Sequence, residues 1–260
     1  YGNGFTTIGI SSSTDSINMN VEDCRFENSG CYISSIHIIS LVSEENSNPS
    51  SESSIIIFEN NTFESEKSED SCASLNLIMN KRKVSIHKCS FMRSTINDGI
   101  DPWANCIRAI LLTTLDILEC YFYKCGNVRD NNDLGNVIGV GVSEGSYRAV
   151  ATECHVENCT FNFTSTTISS YSESVTFKGN TLYKVGPSSF RIRIVASNGV
   201  GFEFTDNIIT DSDKGVIINC WESYGYDGLK HSPTIRNNTF EHISTVYPER
   251  GGDYDEQIYA

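Results

Sequence analysis

One segment recurs eight times along this chain: MNVEDCRF, IIFENNTF, VSIHKCSF, LDILECYF, CHVENCTF, VTFKGNTL, FEFTDNII and PTIRNNTF. Its last residue marks the register at Phe26, Phe63, Phe91, Phe122, Phe161, Leu182, Ile209 and Phe240. Two residues before each mark stands Cys24, Asn61, Cys89, Cys120, Cys159, Asn180, Asn207 or Asn238, so that position is Cys or Asn in every copy. Five before it is always apolar or aromatic: Val21, Phe58, Ile86, Ile117, Val156, Phe177, Phe204 and Ile235. Seven before it is mostly apolar as well, as at Met19, Ile56, Val84, Leu115 and Phe202. Alternation with period two is the signature of a short strand with one buried face.

Successive marks lie 37, 28, 31, 39, 21, 27 and 31 residues apart, a fixed core with connections of varying length. A repeat of this size implies a solenoid, a propeller or an array. Helical solenoids need apolar residues at three-and-four spacing, which these segments lack. The shorter copies leave no room for the four strands of a propeller blade. Each copy carries a further apolar run after a turn: YISSIHII, LNLIM, CIRAILL, NVIGVGV, TTIS, FRIRIV and KGVIINC. Two or three short strands per repeat predict an all-β, right-handed parallel β-helix of about eight coils, with residues 1–260 as one domain. The stretches 43–54 (SEENSNPSSESS) and 64–70 (ESEKSED) are expected as solvated surface excursions.

Equivalent residues of successive coils would stack about 4.8 Å apart. At a bend the backbone leaves polar groups facing inward, and an Asn side chain there can bond both the turn and the next coil, forming a ladder of amides. Cys serves where a small, buried, weakly polar group suffices. The doubled Asn of FENN and IRNN then points one side chain in and one out.

With these features the chain resembles the pectin-lyase-like β-helix family over nearly its whole length. FENN (58–61), FKGN (177–180) and FTDN (204–207) are also similar to the FxxN repeat of polymorphic membrane proteins, which are surface adhesins; the GGA[IVL] motif of that family is absent. The resemblance implies the fold and suggests a surface role.

Charge narrows the partners. A formal charge of -14 makes nucleic acid an unsuitable ligand. No run of 18 apolar residues is available to span a membrane. The start at YGNGF, without Met or a signal-peptide pattern, suggests an excised product. Both ends look like coil strands, which suggests a segment of something longer or self-association through exposed coil edges. Of the ten cysteines, Cys89, Cys120 and Cys159 share the ladder position in consecutive coils, while Cys31, Cys72 and Cys106 each open the second apolar strand in the first three coils. Disulfides between adjacent coils and a row of reduced buried thiols both fit this placement. The five histidines show no ligand spacing, so no metal site is expected, and no phosphate or dinucleotide fingerprint calls for a cofactor.

Four sequons, at Asn60, Asn158, Asn162 and Asn237, point to an extracellular or cell-surface glycoprotein. Three of them fall three residues before a mark, where glycans would line one ridge. The expected role is structural or adhesive, with other surface or filament proteins as partners.

The alternative is a carbohydrate-active enzyme, or a carbohydrate-binding β-helix. Asp211 and Asp213, near Arg191 and Arg193 of the preceding coil, could bind an acidic sugar or a cation. The nearby Trp221, Tyr224 and Tyr226 could provide a platform for it. In NDGIDPW, Asn97, Asp98 and Asp101 look like the N-x-D motif of polygalacturonases, without the aspartate pair or Gly-His-Gly that should follow. GVSEG (141–145) matches a nucleophile elbow in letters, but that elbow needs a helix after the turn and the following residues predict strand.

Overall fold

The computed structural model describes residues 8–12, 18–28, 34–40, 55–65, 73–79, 83–92, 106–110, 114–125, 136–140, 142–144, 147–149, 151–164, 166–170, 172–185, 191–194, 201–212, 217–220, 234–243 and 257–259. Every described element is a strand. The first sheet stacks, all parallel, Met19–Glu22, Ile55–Glu59, Lys83–His87, Thr114–Leu118, Ala151–Glu157, Ser172–Lys178, Gly201–Thr205 and Thr234–Arg236. The second stacks Arg25–Asn28, Thr62–Ser65, Ser90–Met92, Tyr121–Tyr123, Thr160–Asn162, Thr181–Tyr183, Ile208–Thr210 and Thr239–Glu241. The third contains Ile8–Ser12, Ser34–Ser40, Ala73–Met79, Ile107–Ile110, Asn136–Val140 and Thr166–Ser170. Arg191–Ile194 lies beside Thr166–Ser170 and pairs with Ile217–Cys220, carrying that face onward. The chain visits first, second and third sheet in turn, once per repeat, which is a parallel β-helix of eight coils.

The register is the one the repeat predicts. Phe26 pairs with Phe63, Phe63 with Phe91, Phe91 with Phe122 and Phe122 with Phe161, followed by Leu182, Ile209 and Phe240. Val21, Phe58, Ile86, Ile117, Val156, Phe177, Phe204 and Ile235 pair in the same way along the first sheet. Inside, the rings of Phe26, Phe63, Phe91, Phe122 and Phe161 form a continuous stack, with centroids 4.9, 5.0, 5.0 and 4.7 Å apart and planes within 8°. Phe177 and Phe204 stack likewise at 5.5 Å. The spacing matches the separation of strands in a sheet, so each of the first five coils adds one ring to the stack.

What divides the first strand from the second is a one-residue bend. Asp23, Asn60, Lys88, Glu119, Asn158, Gly179, Asp206 and Asn237, each three before a mark, all have φ between 53° and 65° except Lys88 at 52°. This left-handed turn points the next residue inward. The bend interrupts no pairing: its N–H donates to a carbonyl of the following coil at 2.9–3.2 Å, from Asp23 to Glu59 through Asp206 to Arg236. A second bend of the same kind follows the second sheet at Lys124, Phe163, Lys184, Asp211 and His242. Cys125, Thr164, Val185 and Ser212 then turn in and are buried.

The ends differ from expectation in one respect. Gln257–Tyr259 is a strand, but it pairs antiparallel with Ile217–Cys220 and covers the edge that another parallel strand would use. Residues 43–54 lie outside the described residues, as do 66–70, while Glu64 and Ser65 belong to Thr62–Ser65 of the second sheet.

Candidate functional site

The inward ladder is a structural device built as its residue types dictate. After the left-handed bend, the backbone N–H of the ladder residue faces into the helix, where the side chain of the next coil meets it. Asn61 Oδ1 accepts from Cys24 N at 2.9 Å, Asn180 Oδ1 from Cys159 N at 2.8 Å, Asn207 Oδ1 from Asn180 N at 2.9 Å and Asn238 Oδ1 from Asn207 N at 2.9 Å. Each amide nitrogen donates back to a carbonyl of the preceding coil: Asn61 to Val21, Asn180 to Val156, Asn207 to Phe177 and Asn238 to Phe204, at 2.7–3.0 Å. FxxN thus has a physical meaning. The Phe is the last inward residue of the strand, the second x makes the bend, and the Asn closes it against the coil before.

The cysteines repeat this with sulfur. Cys89, Cys120 and Cys159 donate to Phe58, Ile86 and Ile117 carbonyls at 3.5, 3.4 and 3.5 Å, and Cys159 Sγ accepts from Cys120 N at 3.4 Å. Cys89, Cys120 and Cys159 carry no disulfide, so the stacked cysteines take the reduced arrangement and not bridges between coils. The hydrogen bond to Cys120 and burial push the Cys89 thiol far above its usual range, and burial does the same to Cys120. Such thiols are unreactive. Cys24, beside the strand that begins the first sheet among the described residues, is exposed.

The three corner sequons project from the first bend, and Asn60, Asn158 and Asn237 are exposed. Asn60 Nδ2 donates to Asp23 Oδ1 at 2.6 Å and Asn237 Nδ2 to Asp206 Oδ1 at 3.1 Å, so these side chains lie along the ridge. Asn158 leans over Gly179, where a Cβ would stand 2.5 Å from Asn158 Oδ1. Asn162 is elsewhere, half-buried on the outer face of the second sheet.

Asp211, Asp213, Arg191 and Arg193 are not shown as one group. Asp211 makes the second bend and pairs with His242 Nδ1 of the next coil at 3.2 Å. Arg191 and Arg193 occupy the third face, in register with Ile217 and Asn219. Asp213, Trp221, Tyr224, Tyr226 and the NDGIDPW segment lie outside the described residues. Ser143 sits in a strand, Val142–Glu144, that forms an antiparallel pair with Tyr147–Ala149, opposite Arg148. No helix follows it, as the sequence predicted.

Two outward-facing groups were not foreseen. On the first sheet Asp116 receives Lys83 Nζ at 3.1 Å and His155 Nδ1 at 2.8 Å, tying three successive coils. The hydrogen bond to Asp116 raises the pKa of His155 against the effect of burial. Burial works to raise the Asp116 carboxyl, but His155 and Lys83 together hold it below its usual range. Both shifts favour the ion pair, which makes this a clasp between coils and leaves neither group poised as a general base.

The second group lies on the outer face of the second sheet in coils four to six. Tyr121 and Tyr123 stack at 6.3 Å, while Phe163 meets Tyr123 edge-on at 6.1 Å and Tyr183 at 5.7 Å. Lys124 Nζ lies over Tyr123 at 5.3 Å, and Lys184 Nζ over Phe163 at 5.3 Å and Tyr183 at 5.2 Å. Phe163 is 42% exposed. The contacts between coils join residues 20 to 40 positions apart in sequence, which meet because the coils stack, so no local motif announces them. Comparison of the chain with protein families, with curated proteins and with solved structures finds no match in any of the three.

Proposed function

We propose that this chain is a rigid structural or adhesive β-helical unit of an extracellular or cell-surface glycoprotein, glycosylated along its corner ridge and presenting an outer face to a ligand. The kinship to pectin-lyase-like proteins and to FxxN adhesins belongs to this proposal. The observation that carries it is the aromatic and lysine strip on the second sheet. Tyr, Phe and Lys at positions facing water contribute little to the core, and exposed aromatic patches mark interaction sites. Ladder and ring stack hold the frame independently of those outward rows, which leaves the rows free to serve recognition.

The exposed side chains of Asn60, Asn158 and Asn237 favour a glycosylated ridge, and the enclosed, high-pKa thiols are compatible with an oxidising exterior because they are sheltered from oxidants. Peptide mass spectrometry of the protein from its native source, without reduction, tests the reading. Glycans on the corner asparagines are the expected result. Bare asparagines at all four sequons would remove the surface-glycoprotein assignment.

A further inference from the structure

On the outer face of the second sheet, coils four to seven present three rows. Before the mark stand Tyr121, Thr160, Thr181 and Ile208; after it, Tyr123, Asn162, Tyr183 and Thr210; at the second bend, Lys124, Phe163, Lys184 and Asp211. Among the described residues three large apolar side chains are exposed, and two of them, Phe163 at 42% and Ile208 at 46%, belong to this face. Exposed apolar groups beside aromatic ones mark a surface that another protein covers. The rows hold no acid in coils four to six and reach one, Asp211, in coil seven, so lysines and a carboxylate share a single row.

Such a face is complementary to itself. Half a turn about an axis that runs along the strands, between coils five and six, brings a second copy onto it with strand directions kept and coil order reversed. Coil four then meets coil seven and coil five meets coil six, row on row, and every contact occurs twice. Lys124 meets Asp211 of the other copy, Phe163 meets Lys184, and Tyr121 meets Ile208. Asn162 comes opposite Tyr183; its buried Oδ1 has no hydrogen-bond partner among the described residues, and the tyrosine hydroxyl is a donor of the kind it lacks. Facing sheets pack about 10 Å apart, a gap that a lysine and an aspartate span together. Asp211 keeps His242 at 3.2 Å, since a carboxylate accepts from more than one partner. The lack of acids in coils four to six also removes the repulsion that two chains of formal charge -14 would otherwise meet there. An axis along the helix would instead set each coil on its own copy, with no lysine opposite Asp211.

We propose that this face joins two copies of the chain in a two-fold dimer with antiparallel helix axes, in which Lys124 pairs with Asp211 across the contact and Tyr121 and Phe163 are covered by the other copy. The inference rests on the reading of the chain as a unit that presents an outer face to a ligand, and it makes that ligand a second copy. The sequon at Asn162 lies inside the contact, so the dimer requires Asn162 to be bare.

The test is sedimentation equilibrium of the chain produced in a host without N-glycosylation. A monomer–dimer equilibrium with a dissociation constant of about 10 μM is expected for a contact of modest size. Lys124→Asp and Asp211→Lys exchange residue types that this bend already holds, and each alone should weaken the dimer at least about tenfold. Mixed together, the two variants should regain about the wild-type affinity, because each supplies the charge that the other lost while both chains remain acidic overall. Ile208→Thr, which matches Thr160 and Thr181 of its row, should weaken the dimer about tenfold. Ile55→Thr, which removes the third exposed apolar side chain from the first sheet, should leave it unchanged. Circular dichroism and thermal midpoints verify that each variant is folded. A chain that stays monomeric up to about 0.5 mM would overturn the proposal, as would growth beyond two copies. No recovery on mixing, or equal weakening by Ile55→Thr, would overturn it too. A monomer that sediments with vesicles of phosphatidylserine and phosphatidylcholine would overturn it in favour of a lipid surface, and a glycan on Asn162 of the native protein would overturn it outright. Glycans on the corner ridge with a monomeric chain would end this inference and leave the surface reading intact; bare sequons with a dimer would do the reverse.

Discussion

Asn207 shows what one ladder residue contributes. Its Oδ1 satisfies the backbone N–H of Asn180 and its Nδ2 bonds the Phe177 carbonyl, both inside the helix. Asn207→Ala leaves these groups unpaired and should cost about 3 kcal/mol, read as a fall in the urea midpoint. Asn207→Cys should lose distinctly less, because Cys120 and Cys159 make comparable bonds at this register position. Gly179 offers a second test. Its φ of 65° and the 2.5 Å approach of Asn158 Oδ1 both oppose a side chain. Gly179→Ala should destabilise by about 2 kcal/mol, and adding Asn158→Ala should recover about half by removing the clash and leaving the backbone term. The ladder was legible in sequence because only Cys and Asn combine small size with a group that serves an inward N–H. The bend was less so: Lys88 and Glu119 adopt positive φ although neither residue type favours it, since the stacked coils impose it.

At the scale of elements, the ring stack and the ionic clasp behave differently. Phe91 lies between Phe63 and Phe122 at 5.0 Å on each side. Phe91→Ala opens a cavity on the axis and should cost about 4 kcal/mol, whereas Phe91→Leu should cost about 1 kcal/mol, since Leu182 occupies the same row. The clasp of Lys83, Asp116 and His155 depends on pH. The pKa of His155 is raised in the fold, so its contribution is complete below its ordinary value of 6.5 and is lost as pH rises through the raised value. That of Asp116 is lowered, so its contribution is complete above its ordinary value of 3.8 and is lost as pH falls through the lowered one. Between 3.8 and 6.5 both are present. Wild type should therefore exceed His155→Gln in stability by about 1 kcal/mol at pH 5 and converge towards it at alkaline pH, as thermal midpoints across that range would show. Strand periodicity gave the first sheet and the register. The second inward row escaped notice because Cys125, Thr164, Val185 and Ser212 share no residue type, and the tyrosine strip escaped because outward residues acquire neighbours only when coils are stacked.

For the whole molecule the repeat length proved the informative quantity, since every mark separated by 21 to 39 residues lands beside the next. The ends were harder to foresee. QIY alternates like any coil strand, and its antiparallel pairing with Ile217–Cys220 depends on the path of the chain before it, not on its own letters. The central claim is that the eight copies stack as coils in one register, and distances between spin labels test it directly. Labels coupled to an azide-bearing side chain, introduced in place of Asp23, Lys88 or Asn237, leave the native thiols untouched. All three positions are exposed on the first-bend ridge, in coils one, three and eight. Lys88 to Asn237 spans five coil steps and should give about 24 Å, and Asp23 to Asn237 spans seven and should give about 34 Å, broadened by the label arms. Distances that grow with the number of coils in this way support the stacked β-helix; a pair of distances unrelated to coil count would contradict it.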